Sequence, residues 1–483
     1  MTVTILHISD LHRDSGSQIT TTALLKSLAR DQAKYTDREG IDRPDIAVVS
    51  GDIIYGVKAG DEDADAKLQA QYDEALEFLT ALADQFFDGD RERVILVPGN
   101  HDISMSHVER SITKVDIPLE PAKRSILASQ IHDHDSRFRW RWSDFSALEI
   151  TDTKLYDQRL EPYAQFYSRF YKGLRQFSLS PGAQYSVHDF PALGISFVGL
   201  SSCHDNDIYN RTGRVHPDAL AQAMDAVYPY VNKGRLVVSV WHHSIQGGPK
   251  ETDYVDSDLL QALMDGYCSV GMHGHQHRPQ LLEHRFTADR KRGISIISAG
   301  TLCGGPRSLP SGRMRGYNLV KLDLKVRVGT IYVRHMVNSD FSSPVWGPGY
   351  VAEFGGNSMD FTLAESGTPE IQPLNLAGEA DQLQRSGDLR GAYQLVKPHL
   401  DHPILRHIAS TTLAALQDWP EINRVFATPQ SPAEFILLSE ALEELQDWGA
   451  LRELHRGDFA QRQTDSAVRQ RIEMCQATLM GKK

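Results

Sequence analysis

Residues 2–12 read TVTILHISDLH: a strand-length run of β-branched and apolar residues ending in Ser9-Asp10-Leu-His12, with two metal-ligand-type side chains on the turn. A continuous apolar run is how a strand buried on both faces reads. The same arrangement recurs down the chain. IAVVS (46–50) runs into Gly51-Asp52, and VILV (94–97) into Gly99-Asn-His-Asp102. LVVSV (236–240) ends at His242-His243, and SVGM (269–272) at His273-Gly-His-Gln-His277. Further strand-like runs lie at 195–200 and 294–297, with helical periodicity at 69–86 and 217–231. The alternation predicts an α/β fold in which helices cover the outer faces of the sheets. Ligands in such folds sit beyond the carboxyl ends of strands, so the five polar loops are expected to converge on one crevice.

A chain of 483 residues exceeds a single ordinary core, so two or more domains are expected. Hydrophobic content of 41% with 24% charged residues argues against long disorder. No apolar run approaches the roughly 20 residues of a membrane span, so no membrane partner is expected. The first residues lack the basic, apolar and small-residue parts of a signal peptide. The cysteines, Cys203, Cys268, Cys303 and Cys475, follow no disulfide or zinc-knuckle spacing. A cytoplasmic location is therefore expected. A net charge of −12 excludes a protein that coats nucleic acid through a general basic surface, so any such contact must be local.

Between His101 and the run at 195 lies an insertion, about 103–190, without obvious strands. It reads as a helical cap beside the crevice. Residues 121–175 carry roughly ten basic and seven acidic side chains, a local positive excess. Tyr163, Phe166 and Phe170 have helical spacing and read as core of the cap. Arg137-Phe-Arg-Trp-Arg-Trp142 admits two readings: an amphipathic edge strand, or a platform for phosphates and bases. A Pro/Gly-rich stretch at 342–356 sets domain 1–340 apart from a helical region 366–483, with a linker over 341–365. In the helical region Leu416-Gln-Asp-Trp419 recurs as Leu445-Gln-Asp-Trp448, with Gly387-Asp-Leu389 at the equivalent turn of a more divergent unit. Such periods suggest stacked helical hairpins of tetratricopeptide type, a surface for a protein partner or for self-association.

Each polar cluster alone is weak evidence. Five in order, each ending an apolar strand, supply carboxylates, imidazoles and an amide, a donor mix suited to Mn²⁺, Fe or Zn²⁺. Asp10-Leu-His12, Gly51-Asp52, Gly99-Asn-His-Asp102, His242 and Gly274-His-Gln-His277 resemble the five blocks of calcineurin-like metallophosphoesterases, in their bacterial phosphodiesterase branch. The resemblance spans about 2–335 and is weakest in the cap. It implies a calcineurin-like β-sandwich flanked by helices in four layers. It also implies two divalent transition metal ions, manganese first among the candidates, with Fe or Zn as alternatives. Asp10, His12 and His277 would hold the first, Asn100, His242 and His275 the second, and Asp52 both. Attack by a metal-bridging hydroxide on a phosphodiester follows from the resemblance. His101 resembles the histidine that contacts phosphate and protonates the leaving oxygen, and Asp102 a residue orienting its neighbours.

Three details depart from the pattern or add to it. His242 is followed by His243 and then Ser244 where the family has proline, and His242 is the preferred ligand. Tyr55 follows Asp52 as the iron-binding tyrosine does in purple acid phosphatases, but those lack a histidine at the position of His12, so Tyr55 reads as a packing residue or as one that supports the ligands from behind. His7, His204 and His273 read as structural. The loop after Asp52 lacks Asp-Arg-Gly, and the asparagine block continues His-Asp instead of His-Glu, which argues against a phosphoprotein phosphatase. Nucleic acid or nucleotide is the expected substrate, with a cyclic nucleotide as the alternative. A catalytically silent metal-binding scaffold, or a partner-binding module working through the tail, is the alternative of another class. Arg313-Met-Arg-Gly-Tyr-Asn318 resembles a region common in bacterial members and makes Arg315 a candidate for phosphate contact, beside a structural role.

Overall fold

The computed structural model describes residues 1–14, 19–133, 136–247, 253–285, 293–305, 309, 312–364, 373–462 and 465–480. It divides into two compact units, Met1–Thr368 and Pro369–Lys483.

In the first unit the strands in chain order are β1 (Thr2–Ile8), β2 (Ile46–Ser50), β3 (Val94–Val97), β4 (Ile112–Val115), β5 (Phe138–Arg141), β6 (Ser146–Ile150), β7 (Tyr185–Phe190) and β8 (Ile195–Leu200). There follow β9 (Leu236–Val240), β10 (Cys268–His273), β11 (Gln280–Arg285), β12 (Gly293–Ser298), β13 (Gly316–Asp323), β14 (Val328–Met336), β15 (Trp346–Pro348) and β16 (Ser358–Thr362). One sheet runs β15-β14-β13-β1-β2-β3, with β16 also pairing β14; a second runs β11-β12-β10-β9-β8-β7. Strands β1, β2 and β3 are parallel, as are β8, β9, β10 and β12.

Alternate residues of β1, such as Val3 and Ile5, meet Phe197, Val238 and Val270 of the second sheet in one dry core. The opposite face of the first sheet, with Leu6 and Ile8, packs under helices Thr21–Glu39 and Ala64–Phe86. Helices Pro217–Val231 and Asp258–Asp265 cover the outer face of the second sheet. The layers are therefore helix, sheet, sheet, helix: a calcineurin-like sandwich. Helix Ala64–Phe86 shows why: Leu68, Tyr72, Ala75, Leu79 and Leu82 recur at alternating spacings of four and three, a single buried stripe. Helix Thr21–Glu39 is bounded by Thr20, whose side chain accepts from the Ala23 amide, and by Gly40 at φ +68°.

Three expectations are corrected here. The cap is not purely helical, because β4, β6 and β5 form a three-stranded antiparallel sheet with β5 at its edge. Tyr163, Phe166 and Phe170 do not form a separate cap core. They are fully buried in the main core, where Phe166 stacks on Tyr72 at 5.1 Å. The stretch 341–365 is not a linker through its described residues, since it carries β15 and β16. Trp346 is buried and donates to Ser27 Oγ at 2.8 Å, and Phe361 and Leu363 enter the core between the sheets. Proline and glycine there suit an edge strand and its turns. The expected start of the tail at 366 lies outside the described residues.

The second unit is helical among its described residues, from Pro373–Ser386 to Ser466–Met480. Asp388, Asp418 and Asp447 cap three of its helices with nearly identical backbone angles, each accepting from the amide three residues on. Side-chain bonds Gln384–Thr412, Tyr393–Glu421, Arg406–Glu434 and Arg471–Glu443 all join residues 28 apart. Bonds at that constant interval tie together helices of the unit. No helix among the described residues is long and apolar enough to cross a membrane.

Candidate metal centre

The loops after β1, β2 and β3 belong to one sheet and those after β9 and β10 to the other, so the polar cluster forms where the carboxyl ends of the two sheets meet. Backbone bonds join the first two loops: the Asp10 amide donates to Gly51 O and the His12 amide to Asp52 O. Asp10, His12, Asp52, His275 and His277 all have φ between +45° and +74°. Left-handed backbone costs a side-chain-bearing residue about 1–2 kcal/mol, and five such residues in one cluster mark strain held by the surrounding fold. Glycines let the loops close. A Cβ on Gly99 would land on Asp52, and one on Gly274 on Ser9 and Asp10.

The carboxylates are aimed by their own hydrogen bonds. Asp10 accepts the His275 amide at Oδ2 (3.1 Å), leaving Oδ1 facing His277 Nε2 at 3.1 Å. Asp52 accepts the His101 amide at Oδ1 (2.9 Å), leaving Oδ2 3.3 Å from His242 Nε2. The imidazoles are aimed likewise. His242 Nδ1 donates to Ser50 O at 2.8 Å, and His275 Nε2 meets Asp253 Oδ2 at 3.1 Å, which turns the other nitrogen of each ring inward.

Inward-facing atoms then gather in groups. His242 Nε2, His275 Nδ1 and Asn100 Oδ1 are 3.1–3.3 Å apart. His12 Nε2 faces His277 Nε2 at 3.2 Å. Donors each about 2.0–2.2 Å from one cation lie about 3.0–3.5 Å from one another, so these separations fit shared cations. Asp10, His12 and His277 form one donor group and Asp52, His242 and His275 another, while Asp52 also groups with His12 and His101. Seven N and O donors, no thiolate and one amide suit a divalent transition metal.

The electrostatics agree with that use. Burial alone would raise the Asp52 carboxyl, but His242 and His101 outweigh it and hold it well below the usual range. His277 does the same for Asp10. Burial disfavours the charged form of His242, yet the Asp52 carboxylate raises it to about 9. Burial lowers His12 to about 4, so the negative charge of the cluster rests on the two buried carboxylates.

His101 lies at the edge of the cluster, edge-on to His12 with ring centres 4.8 Å apart. Its Nδ1 donates to Tyr55 O at 2.5 Å, so its Nε2 is free to face the cluster, 3.9 Å from Asp52 Oδ2. It is 39% exposed at the wall of a cleft of about 450 Å³. Lys58 and Arg211 bring positive charge to the same wall, and Asn206, Asp207 and Asp253 complete its polar lining.

Two of the proposed site residues lie elsewhere. Asp102 is fully buried and accepts from the amides of Gly99, Ile53 and Ile54 and from the Tyr72 hydroxyl. Burial raises it to about 7. It braces the Asn100 loop against the Asp52 loop and touches no reacting atom, so it is a positioning residue and not a catalytic one. Arg315 is absent from the cleft. Its Nε donates to Gly304 O at 2.8 Å and its guanidinium covers Phe341. Gly304 in turn donates to Thr301, whose hydroxyl donates to Asp10 O, so Arg315 steadies Asp10 at a distance.

The remaining histidines point away. His243 is buried against Ser202 and Asn206. His7 pairs with Ser50 Oγ, burial pushing it to about 3, and His273 stacks on Trp241. His204 lies beside Asp205 and His216. Tyr55 offers its backbone oxygen to His101 while its ring is exposed. Sequence reasoning missed Asp253 and the loop after β8 that carries Asp207 and Arg211. The polar run Ser201-Ser-Cys-His-Asp-Asn-Asp207 was the available signal, since it also ends an apolar strand.

Residues 3–279 match a family model described as calcineurin-like phosphoesterase. Among solved structures, a dimetal phosphatase from Danio rerio is 11% identical, with a TM-score of 0.39 over 75% of this chain and 99% of that one. The protein TT1561 of Thermus thermophilus is 9% identical, with a TM-score of 0.33 over 69% and 99%. The calcineurin-like phosphoesterase YfkN from Bacillus subtilis is 10% identical, with a TM-score of 0.27 over 76% and 91%. No curated protein gives a significant match.

Proposed function

The chain belongs to the calcineurin-like phosphoesterase family, and from that premise we propose that it is a dinuclear metal-dependent phosphodiesterase acting on nucleotide or nucleic-acid esters. The observation that carries this reading is the position of Asp52, whose carboxylate takes part in donor groups on both sides of it. Asp10, His12 and His277 would hold one divalent cation, and Asn100, His242 and His275 the other, with Asp52 between them. When bound, such a pair acidifies a water and neutralises charge on the phosphoryl oxygens.

The chain's own groups do the rest. Lys58 and Arg211 draw the anionic ester into the cleft. Asp253 and Ser50 keep His275 and His242 turned inward. The Tyr55 carbonyl supports a proton on His101 Nδ1, so that Nε2 can carry a second one toward the leaving oxygen. A poor alkoxide leaving group needs that proton, and a positioned acid is worth about 10²–10⁴-fold. The loop after Asp52 and the His-Asp pair at 101–102 favour diesters over phosphoproteins. For the tail we propose tetratricopeptide-like hairpins that bind a partner.

The test is hydrolysis of bis-p-nitrophenyl phosphate, p-nitrophenyl phosphate, a cyclic nucleotide and DNA with Mn²⁺, alongside metal analysis. We expect two metals per chain, turnover of diesters abolished by chelation, and loss of both metal and activity in Asp52→Asn. Bound metal with no turnover of any ester would leave a silent scaffold, and activity that survives chelation would remove the metal from the mechanism.

A further inference from the structure

A second cleft, of about 570 Å³, lies between the cap and the loop after β8. Its size falls within the ~300–1,000 Å³ usual for small-molecule sites. Phe138, Trp140 and Trp142 from β5 and its turn form one wall, and Tyr209 and Arg211 another. Arg211 also lines the metal cleft, so the two clefts share a wall.

The arginines of β5 and the one just before it do not serve this cleft as free cations. Arg137 pairs with Glu149, Arg139 with Asp207 and Arg141 with Asp144. The Arg139–Asp207 pair is almost wholly buried at 3.0 Å, with Tyr156 donating to the same carboxylate, and it ties β5 to the loop after β8. What the strand presents to the cleft is its aromatic side chains. Trp142 is 75% exposed and meets Trp140 edge-on, with ring centres 6.0 Å apart. The Trp140 indole N–H is buried without a hydrogen-bond partner among the described residues. A buried donor left unmatched costs stability unless something supplies an acceptor.

We propose that this cleft is a subsite for the nucleobase of the ester held at the metal centre, a reading that rests on the function proposed above. A nucleobase has π-faces for Trp142 and Tyr209 and ring or carbonyl acceptors for the Trp140 N–H. Arg211, at the shared wall, faces the phosphate between base and reacting centre. A simple alkyl ester offers neither feature.

The test compares two esters with the same scissile bond and leaving group, thymidine 5′-(p-nitrophenyl phosphate) and ethyl p-nitrophenyl phosphate, with Mn²⁺ and the full chain. Base stacking predicts that kcat/KM favours the thymidine ester about 10-fold or more, and that Trp142→Ala or Tyr209→Ala erodes the preference about 10-fold through KM. Trp142 is exposed, so its truncation does not threaten folding. A wild-type preference near unity, or one that both variants leave intact, overturns the subsite while hydrolysis itself still upholds the metal centre. If neither ester is hydrolysed, the metal-centre reading fails, and calorimetry with thymidine 5′-monophosphate and inorganic phosphate decides the cleft separately. Tighter binding of the nucleotide that Trp142→Ala abolishes supports it, and equal binding of the two overturns it.

Discussion

At the scale of single residues, the cluster is built from side chains aimed by their own hydrogen bonds, and the proposed function gives the proton to His101. Asp10, Asp52, His242 and His275 each spend one polar atom on a backbone or carboxylate partner and offer the other to the cluster. His101 follows the same plan, with Nδ1 on Tyr55 O, but its free nitrogen faces the cleft. His101→Ala should therefore keep metal content while turnover falls about 10²–10⁴-fold on esters with alkoxide leaving groups. On p-nitrophenyl esters, which leave without a proton, the loss should be smaller. Equal losses on both would assign His101 to phosphate binding and not to acid catalysis. His242 and His243 were separable in sequence only by preference. The structure separates them by direction, because adjacent residues leaving a strand end point to opposite sides and only one meets Asp52.

At the scale of elements, β5 explains how an arginine-rich strand can serve an acidic protein. The alternating pattern was legible, and so was the pair of readings it allowed. Which one holds depends on Asp207, 68 residues away, a partner that no local pattern could announce. Removing one member of a buried pair leaves an uncompensated charge and costs about 3–5 kcal/mol. Arg139→Met should accordingly lower the melting temperature by several degrees and loosen the cap. Asp207→Asn in the same chain should recover part of that loss. A single variant that melts with the wild type would show that the pair is not what ties β5 to the loop. The helix Glu161–Phe170 carries the same lesson: its aromatic stripe and the helical periodicity at 69–86 were both visible, but not that one packs on the other.

At the scale of the whole molecule, every residue of the metal cluster and both clefts belongs to Met1–Thr368, which has its own dry cores on both faces of both sheets. The tail has a separate core and its own register of bonds 28 residues apart. A chain ending at Thr368 should stay soluble, keep its metal content and hydrolyse diesters at the full-length rate, with any change confined to oligomeric state or retained partners. Aggregation or loss of metal on truncation would show that the helices are needed to hold the catalytic unit. A cut near 340 or 356 should fail instead, because it removes β15 and β16 or strips β16 from β14 and takes Phe361 and Leu363 out of the core between the sheets.

Sequence by itself pointed to the α/β class, seven of the central strands and the polar loops that end them, because each of those signals is local. A strand buried on both faces must be apolar throughout, and a ligand must be a carboxylate, imidazole or amide at the strand's end. Antiparallel edge strands such as β11 and β16 left no such mark, since one side of each is solvated and composition there is free to vary. In the cap only β5 showed itself, by its alternating arginines and aromatics. Tertiary structure alone decided what Asp102 and Arg315 touch, what turns His242 toward Asp52 and His243 away from it, and that the loop after β8 lines both clefts. Those outcomes depend on partners far apart in the chain, where distance and direction, not residue type, set the role.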